Sequence, residues 1–130
     1  MGVSYLIDTH ILLWWVFDDP KLKESSRAII ANPAHLIFVS SVSAWEIATK
    51  YRLGKLSQAQ NLVEHYPQVL SQARFLELPM TSAHALRAGN LPIEHRDPFD
   101  RMLMAQAEIE SLPMMTYDSA FTLASIQVIT

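Results

Sequence analysis

Apolar positions along the chain come in short blocks separated by polar or proline-containing breaks. Five blocks have the length and composition of strands: residues 3–7, 36–39, 75–78, 112–116 and 126–129. Short apolar runs bounded by turn formers are what a strand buried on both faces presents. Helical patterns lie between them. Residues 10–17 are almost wholly apolar and predict a helix buried on most sides, stopped by Asp18-Asp19-Pro20. Residues 21–31 predict an amphipathic helix with Leu22, Ala28 and Ile29 inward, ended by Asn32-Pro33. Ser40-Ser41 offers an N-cap to a helix over about 42–53, with Gly54 as its C-cap. Residues 58–72 read as a helix broken in two by Pro67. Thr81 caps a short helix ending at Gly89-Asn90, and 119–123 forms a helical turn. Asp97-Pro98 opens a helix that runs to about Glu110, because aspartate caps well and proline fits the first helical position. Strands alternating with helices predict one α/β domain over 1–130, with a central, mainly parallel sheet of four to five strands covered on both faces.

Four acids sit at the strand-to-helix turns of this pattern. Asp8 closes the first strand and Asp118 the fourth, so both fall beyond carboxyl ends of strands, where parallel sheets bind ligands. Glu46 and Asp100 lie in the first turns of predicted helices. Each has a plain structural reading. Asp8, Asp118 and Asp97 suit N-caps, and Glu46 stands four residues before Lys50. Asp100 resists that reading, because Leu103, Met104 and Ala107 put it on an apolar stripe, where an unpaired carboxylate is costly. Carboxylates gathered on one sheet edge repel unless a cation sits among them, and oxygen-only ligands favour Mg²⁺ or Mn²⁺ over zinc. Phosphate chemistry follows from such a site.

Composition narrows the alternatives. The hydrophobic fraction of 50% supports a substantial core, and there are no cysteines, so disulfides and thiolate chemistry are excluded. A net charge of −3 is unpromising for a nucleic-acid binder, but setting the four acids aside leaves nine acids against ten Lys and Arg. The field within a cleft decides such binding, not the total. The absence of a basic, apolar leader and of any apolar run near the ~20 residues of a membrane helix leads to an expected cytoplasmic location without membrane association. Five scattered histidines show no paired ligand spacing, which argues against zinc. Lys50, Arg52 and Lys55 after Glu46, with Arg96 and Arg101 around the acidic helix, are candidate contacts for phosphates or for a partner's acidic groups, or else solvated charges. Trp14, Trp15 and Trp45 are expected in the core, although adjacent Trp14 and Trp15 cannot face the same way.

Several segments carry a family likeness in the right order: Leu6-Ile7-Asp8-Thr9-His10, Leu12-Leu13-Trp14, residues 40–56 (SSVSAWEIATKYRLGKL), residues 95–107 (HRDPFDRMLMAQA), and Thr116-Tyr117-Asp118 with Phe121. At these positions the chain resembles the PIN domain, and within it the VapC-type toxins of bacterial toxin–antitoxin pairs. The resemblance implies a three-layer α/β/α fold and a homodimer. It also implies a Mg²⁺- or Mn²⁺-dependent endoribonuclease neutralised by a cognate VapB-type antitoxin. The family's acids carry over to Asp8, Glu46, Asp100 and Asp118, and Thr116 matches a supporting hydroxyl position, with Thr9 in a similar role. The Asp-Pro-Phe-Asp segment offers two acids; register against Leu103, Ala105 and Ala107 favours Asp100 and leaves Asp97 supporting. Metal-activated water attacking the RNA phosphorus would leave 5′-phosphate and 3′-hydroxyl ends. The alternative is a catalytically inactive PIN-like interaction module. A phosphoaspartate enzyme is disfavoured, since His10 stands where a second aspartate would be needed.

Overall fold

The computed structural model describes residues 2–130. Its strands are β1 (Ser4–Ile7), β2 (Leu36–Ser40), β3 (Leu76–Leu78), β4 (Met114–Met115) and β5 (Val128–Ile129). They form one five-stranded sheet in the order β3-β2-β1-β4-β5, and every pairing is parallel. The helices are α1 (Thr9–Val16), α2 (Glu24–Ala31), α3 (Ser41–Arg52), α4 (Gln60–Glu64), α5 (Tyr66–Gln72), α6 (Ser82–Asn90) and α7 (Pro98–Glu110). Short 3-10 turns occupy Ser57–Ala59 and Ser119–Leu123.

Strand alternation divides the core into two layers. Ile7 pairs in register with Val39 and Met115, and all three point into a cluster with Ile11, Leu12, Ile47, Leu62 and Leu70. Their neighbours Leu6 and Met114 point the other way, into a cluster with Leu103, Met104, Ala107 and Phe121. Helices α1 to α5 thus cover one face and α6 and α7 the other, giving the three-layer α/β/α arrangement expected from the pattern. His84, only 2% exposed, ties the second pair together: its Nε2 lies 2.8 Å from Glu110 Oε2, while its Nδ1 accepts the Thr81 N–H. No helix among the described residues is long and apolar enough to cross a membrane.

Some local expectations shift. Helix α2 starts at Glu24 rather than 21, and Ala28 is exposed; Ser26 and Ile30 take the inward positions. Ser26 is tolerated there because its hydroxyl meets the Tyr117 hydroxyl at 2.6 Å. The break in 58–72 falls at His65, and Pro67 sits in the first turn of α5, where its missing N–H costs nothing. Trp45 is 57% exposed instead of buried, because α3 turns Val42, Ser43, Glu46 and Ile47 inward and leaves Trp45 edge-on against Phe99 at 4.8 Å. Trp14 and Trp15 diverge as their adjacency requires: Trp14 meets Tyr117 and Trp15 meets Phe75.

Candidate active site

The strand order reverses at β1. From there the chain moves outward through β2 and β3, then returns to the other side of β1 through β4. A crevice opens at such a switch point, beyond the carboxyl ends of the two strands. Asp8 follows β1 and Thr116 follows β4, and the two side chains meet there. Asp8 is 5% exposed and Thr116 fully buried. The Thr116 hydroxyl donates to Asp8 Oδ2 at 2.5 Å, and its oxygen accepts the Asp118 N–H at 3.1 Å. The other Asp8 oxygen accepts the Ile11 N–H at 2.8 Å and so caps α1. Asp118, exposed, caps the following turn through the Ala120 N–H. One threonine therefore holds the two strand-end acids together. Both acids line a cleft of about 220 Å³ with His10, Trp14 and Tyr117.

Asp100 enters from the opposite layer, in the first turn of α7. Asp97 caps that helix by accepting the N–H groups of Phe99 and Asp100, and so fixes where Asp100 starts. His95 Nε2 stands 2.8 Å from Asp100 Oδ2. Burial pushes the Asp8 carboxyl up from 3.8 to about 6; the bonds from Thr116 and Ile11 and the nearby His10 oppose the rise, and the charge of Asp100 adds to it. Burial raises the Asp100 carboxyl too; the His95 contact opposes this, and the charges of Asp97 and Asp118 reinforce it. Asp8, Asp100 and Asp118 thus share one field of mutual repulsion.

Glu46 is 5% exposed on α3, and its Oε2 accepts from Lys50 Nζ at 2.7 Å. The i,i+4 pairing readable from the sequence is therefore formed, but with a buried carboxylate. Thr9 bonds Ser43 at 3.0 Å and braces α1 against α3 instead of bonding an acid. Among the described residues, no three of the acidic or histidine side chains close around a common point that would hold a metal ion. The donor set still suits a hard cation chemically: the donors are carboxylate oxygens, two of them are burdened by burial and like charge, and a dication would relieve both.

The basic candidates separate. Lys50 is taken by Glu46, while Arg52, Lys55 and Arg96 are exposed. Arg101 is engaged within the protein. Its guanidinium donates to the carbonyls of Ala88, Gly89, Leu91, Ile93 and His95. The pairings missed in the sequence are those of Ser43 with Thr9 and of His95 with Asp100; His95 instead reads as a phosphate contact or a solvated loop charge. Ser43 is three residues from Glu46, one turn away on α3, and His95 precedes Asp100 by five residues across a proline-broken helix start.

The PIN domain family matches residues 5–126. The chain belongs to that family. A curated relative, Ribonuclease VapC16 of Mycobacterium tuberculosis, is 36% identical to this PIN domain over 69 residues, 52% of the chain. The chain spans about half the length of that relative, 49%. Among solved structures, VapBC2 from Rickettsia felis bound to a promoter DNA fragment superposes with a TM-score of 0.67 at 16% identity, covering 98% of each chain. A toxin–antitoxin complex from Klebsiella pneumoniae gives 0.67 at 21% identity, covering 98% of this chain and 97% of that one. FitAcB from Neisseria gonorrhoeae gives 0.64 at 19% identity, covering 100% and 97%. At these identities the likeness is one of fold, and it extends over the whole PIN domain.

Proposed function

We propose that this PIN domain is a divalent-metal-dependent endoribonuclease toxin of the VapC type, acting in the cytoplasm and held inactive by a VapB-type antitoxin. The observation that carries the reading is the Asp8–Thr116–Asp118 arrangement at the β1/β4 switch point, with Asp100 in the same field. The name of the Mycobacterium relative supports ribonuclease activity, and the toxin–antitoxin complexes among the structural neighbours support a protein inhibitor. Homodimer formation belongs to the same reading.

Asp8, Asp100 and Asp118 would hold Mg²⁺ or Mn²⁺, with Glu46 as the fourth carboxylate. When bound, the ion neutralises phosphate charge and makes water acidic enough to supply hydroxide near neutral pH. The chain's own contribution is placement. Thr116 fixes the two strand-end acids, Asp97 sets the start of α7, and Thr9 with Ser43 keeps α1 against α3. His95 orients Asp100. In the overall hydrolysis the oxygen of water bonds to phosphorus and the bond from phosphorus to the 3′ oxygen breaks. The products are a 5′-phosphate and a 3′-hydroxyl, and the 2′-hydroxyl takes no part.

Incubation with total RNA and Mg²⁺ or Mn²⁺, followed by end-group analysis, tests this with Asp100→Ala as control. Cyclic 2′,3′ ends, or cleavage undiminished in EDTA, would sink it. The Glu46–Lys50 pair favours a second reading, a catalytically inactive interaction module, because it commits one acid to a lysine. Asp8→Asn separates the two. Lost toxicity with retained antitoxin binding supports catalysis, and unchanged toxicity supports the module.

A further inference from the structure

The cleft beside Asp8 and Asp118 has an aromatic wall that the hydrolytic chemistry does not require. His10, Trp14 and Tyr117 form a continuous run of rings, with centroid separations of 5.8 Å and 5.4 Å and tilts of 38° and 44°. Two of the rings are held from behind. Trp14 packs on the core layer beneath α1, and the Tyr117 hydroxyl bonds Ser26 at 2.6 Å and accepts the Lys23 N–H at 3.0 Å. The Lys23 ammonium lies 4.7 Å from the centre of the Tyr117 ring. His10 is exposed, and Trp14 and Tyr117 are half-buried, so the wall, anchored at two of its three rings, is open.

A preformed aromatic surface beside a site suited to phosphate chemistry offers a base somewhere to stack next to the bond under attack, as in single-stranded nucleic-acid binding. The same wall could stack a guanidinium from a protein, drawn by Asp8 and Asp118; with a dication on those carboxylates that attraction is spent, and the neutral face of a base is the partner that remains. At about 220 Å³ the cleft is below the ~300 Å³ at which pockets for larger ligands begin, so it admits one ring system.

We propose that the His10–Trp14–Tyr117 wall is a nucleobase subsite, stacking one unpaired base of the RNA strand next to the bond to be cleaved. This rests on the ribonuclease reading above. A base stacked there has left its own helix, so the substrate must be single-stranded at that nucleotide. Stacking tolerates any base, so the subsite selects for an unpaired nucleotide more than for its identity.

The test uses the full chain and a short single-stranded RNA carrying 2-aminopurine at successive positions, titrated in EDTA and again with Mg²⁺. One position is expected to lose fluorescence on binding. An abasic nucleotide at that position, Trp14→Leu or His10→Ala should each weaken binding about 5- to 150-fold, the range for removing an aromatic partner of a base. Trp14→Phe should recover most of the affinity. If Trp14→Leu does not fold, exposed His10 and the abasic RNA still decide the matter. Equal affinity for abasic and natural RNA at every position, equal affinity for a duplex, or no RNA binding at all would overturn the subsite. So would quenching of Trp14 fluorescence by an arginine-containing peptide and not by the RNA. A chain that stacks the base but leaves RNA uncut with Mg²⁺ and Mn²⁺ sinks the ribonuclease reading alone. A chain that cuts RNA while indifferent to the abasic substitution sinks the subsite alone.

Discussion

Thr116 and Asp8, 108 positions apart in sequence, are joined by a buried 2.5 Å hydrogen bond in which the threonine donates. The same hydroxyl oxygen receives the Asp118 N–H, so one side chain satisfies groups on both sides of the sheet's switch point. Nothing else described in the site links the two strand-end acids so directly. Thr116 is thereby the keystone of the acidic arrangement rather than one more polar neighbour.

Replacing Thr116 by valine keeps the volume and removes both bonds. It leaves a buried Asp8 oxygen without its donor and the Asp118 N–H without its acceptor, a loss of about 1–3 kcal/mol. Thr116→Ser keeps the hydroxyl and should restore most of that. Urea unfolding of the three proteins decides the point, and a valine variant within ~0.5 kcal/mol of the parent would show that the bond contributes nothing.

Asp8 makes stability depend on pH. Its carboxyl titrates near 3.8 when unfolded and at about 6 when folded, so between those values the folded state binds more protons. Stability from this group is therefore greatest below pH 4, declines as pH rises through the window, and is fully lost above it, by about 3 kcal/mol at most. Asp8→Asn removes the charge and keeps a residue that caps helices well. Some of the gain is offset by the weaker acceptor offered to Thr116. The variant should be more stable than the parent by about 1–2 kcal/mol at pH 7.5, with the gain fading toward pH 4.5. Denaturant titrations at both pH values check this; a difference that is the same at both would contradict it.

A cation that relieves the repulsion among Asp8, Asp100 and Asp118 must stabilise the folded chain. Magnesium or manganese at a hundredfold excess over its dissociation constant should add about 2.7 kcal/mol, seen as a rise in Tm of several degrees. Asp100→Asn should lose most of that response while folding normally. An equal rise in parent and variant would mean that the ion binds elsewhere.

Much of this was readable from residue order, for reasons of local physics. Asp97-Pro98 starts α7 because cap chemistry and a fixed φ act within four residues. Asp8 and Asp118 were placed at one sheet rim because strands ending in a carboxylate put it there in any parallel sheet. The Glu46–Lys50 pair was also legible, but not that its carboxylate is buried, since that depends on which face α3 turns to the sheet. The exposure of Trp45 was hidden for the same reason: its apolar character points inward while the helix orientation points it outward. The β4 block looked five residues long, yet only Met114 and Met115 pair in the sheet. Thr116 came from family likeness, because a hydroxyl acting across 108 residues has no periodic signature.

Arg101 was the least legible residue, and it yields a sharp prediction. From sequence it stands beside acids in a helix and reads as a phosphate contact or a solvated charge. In the fold, its planar guanidinium gathers five carbonyls from the end of α6 and the loop that carries His95. That loop has little regular structure of its own, so Arg101 holds His95 where it can reach Asp100. A lysine keeps the charge but cannot present the same fan of donors. If Arg101 bound phosphate, Arg101→Lys would preserve most function and all stability. If it is a structural clasp, Arg101→Lys should cost about 2 kcal/mol or more, comparable to losing bonds from a charged donor. Amide exchange should then quicken across residues 88–96 and stay slow in β1 and β2, and unchanged exchange in 88–96 would return Arg101 to the substrate side of the site.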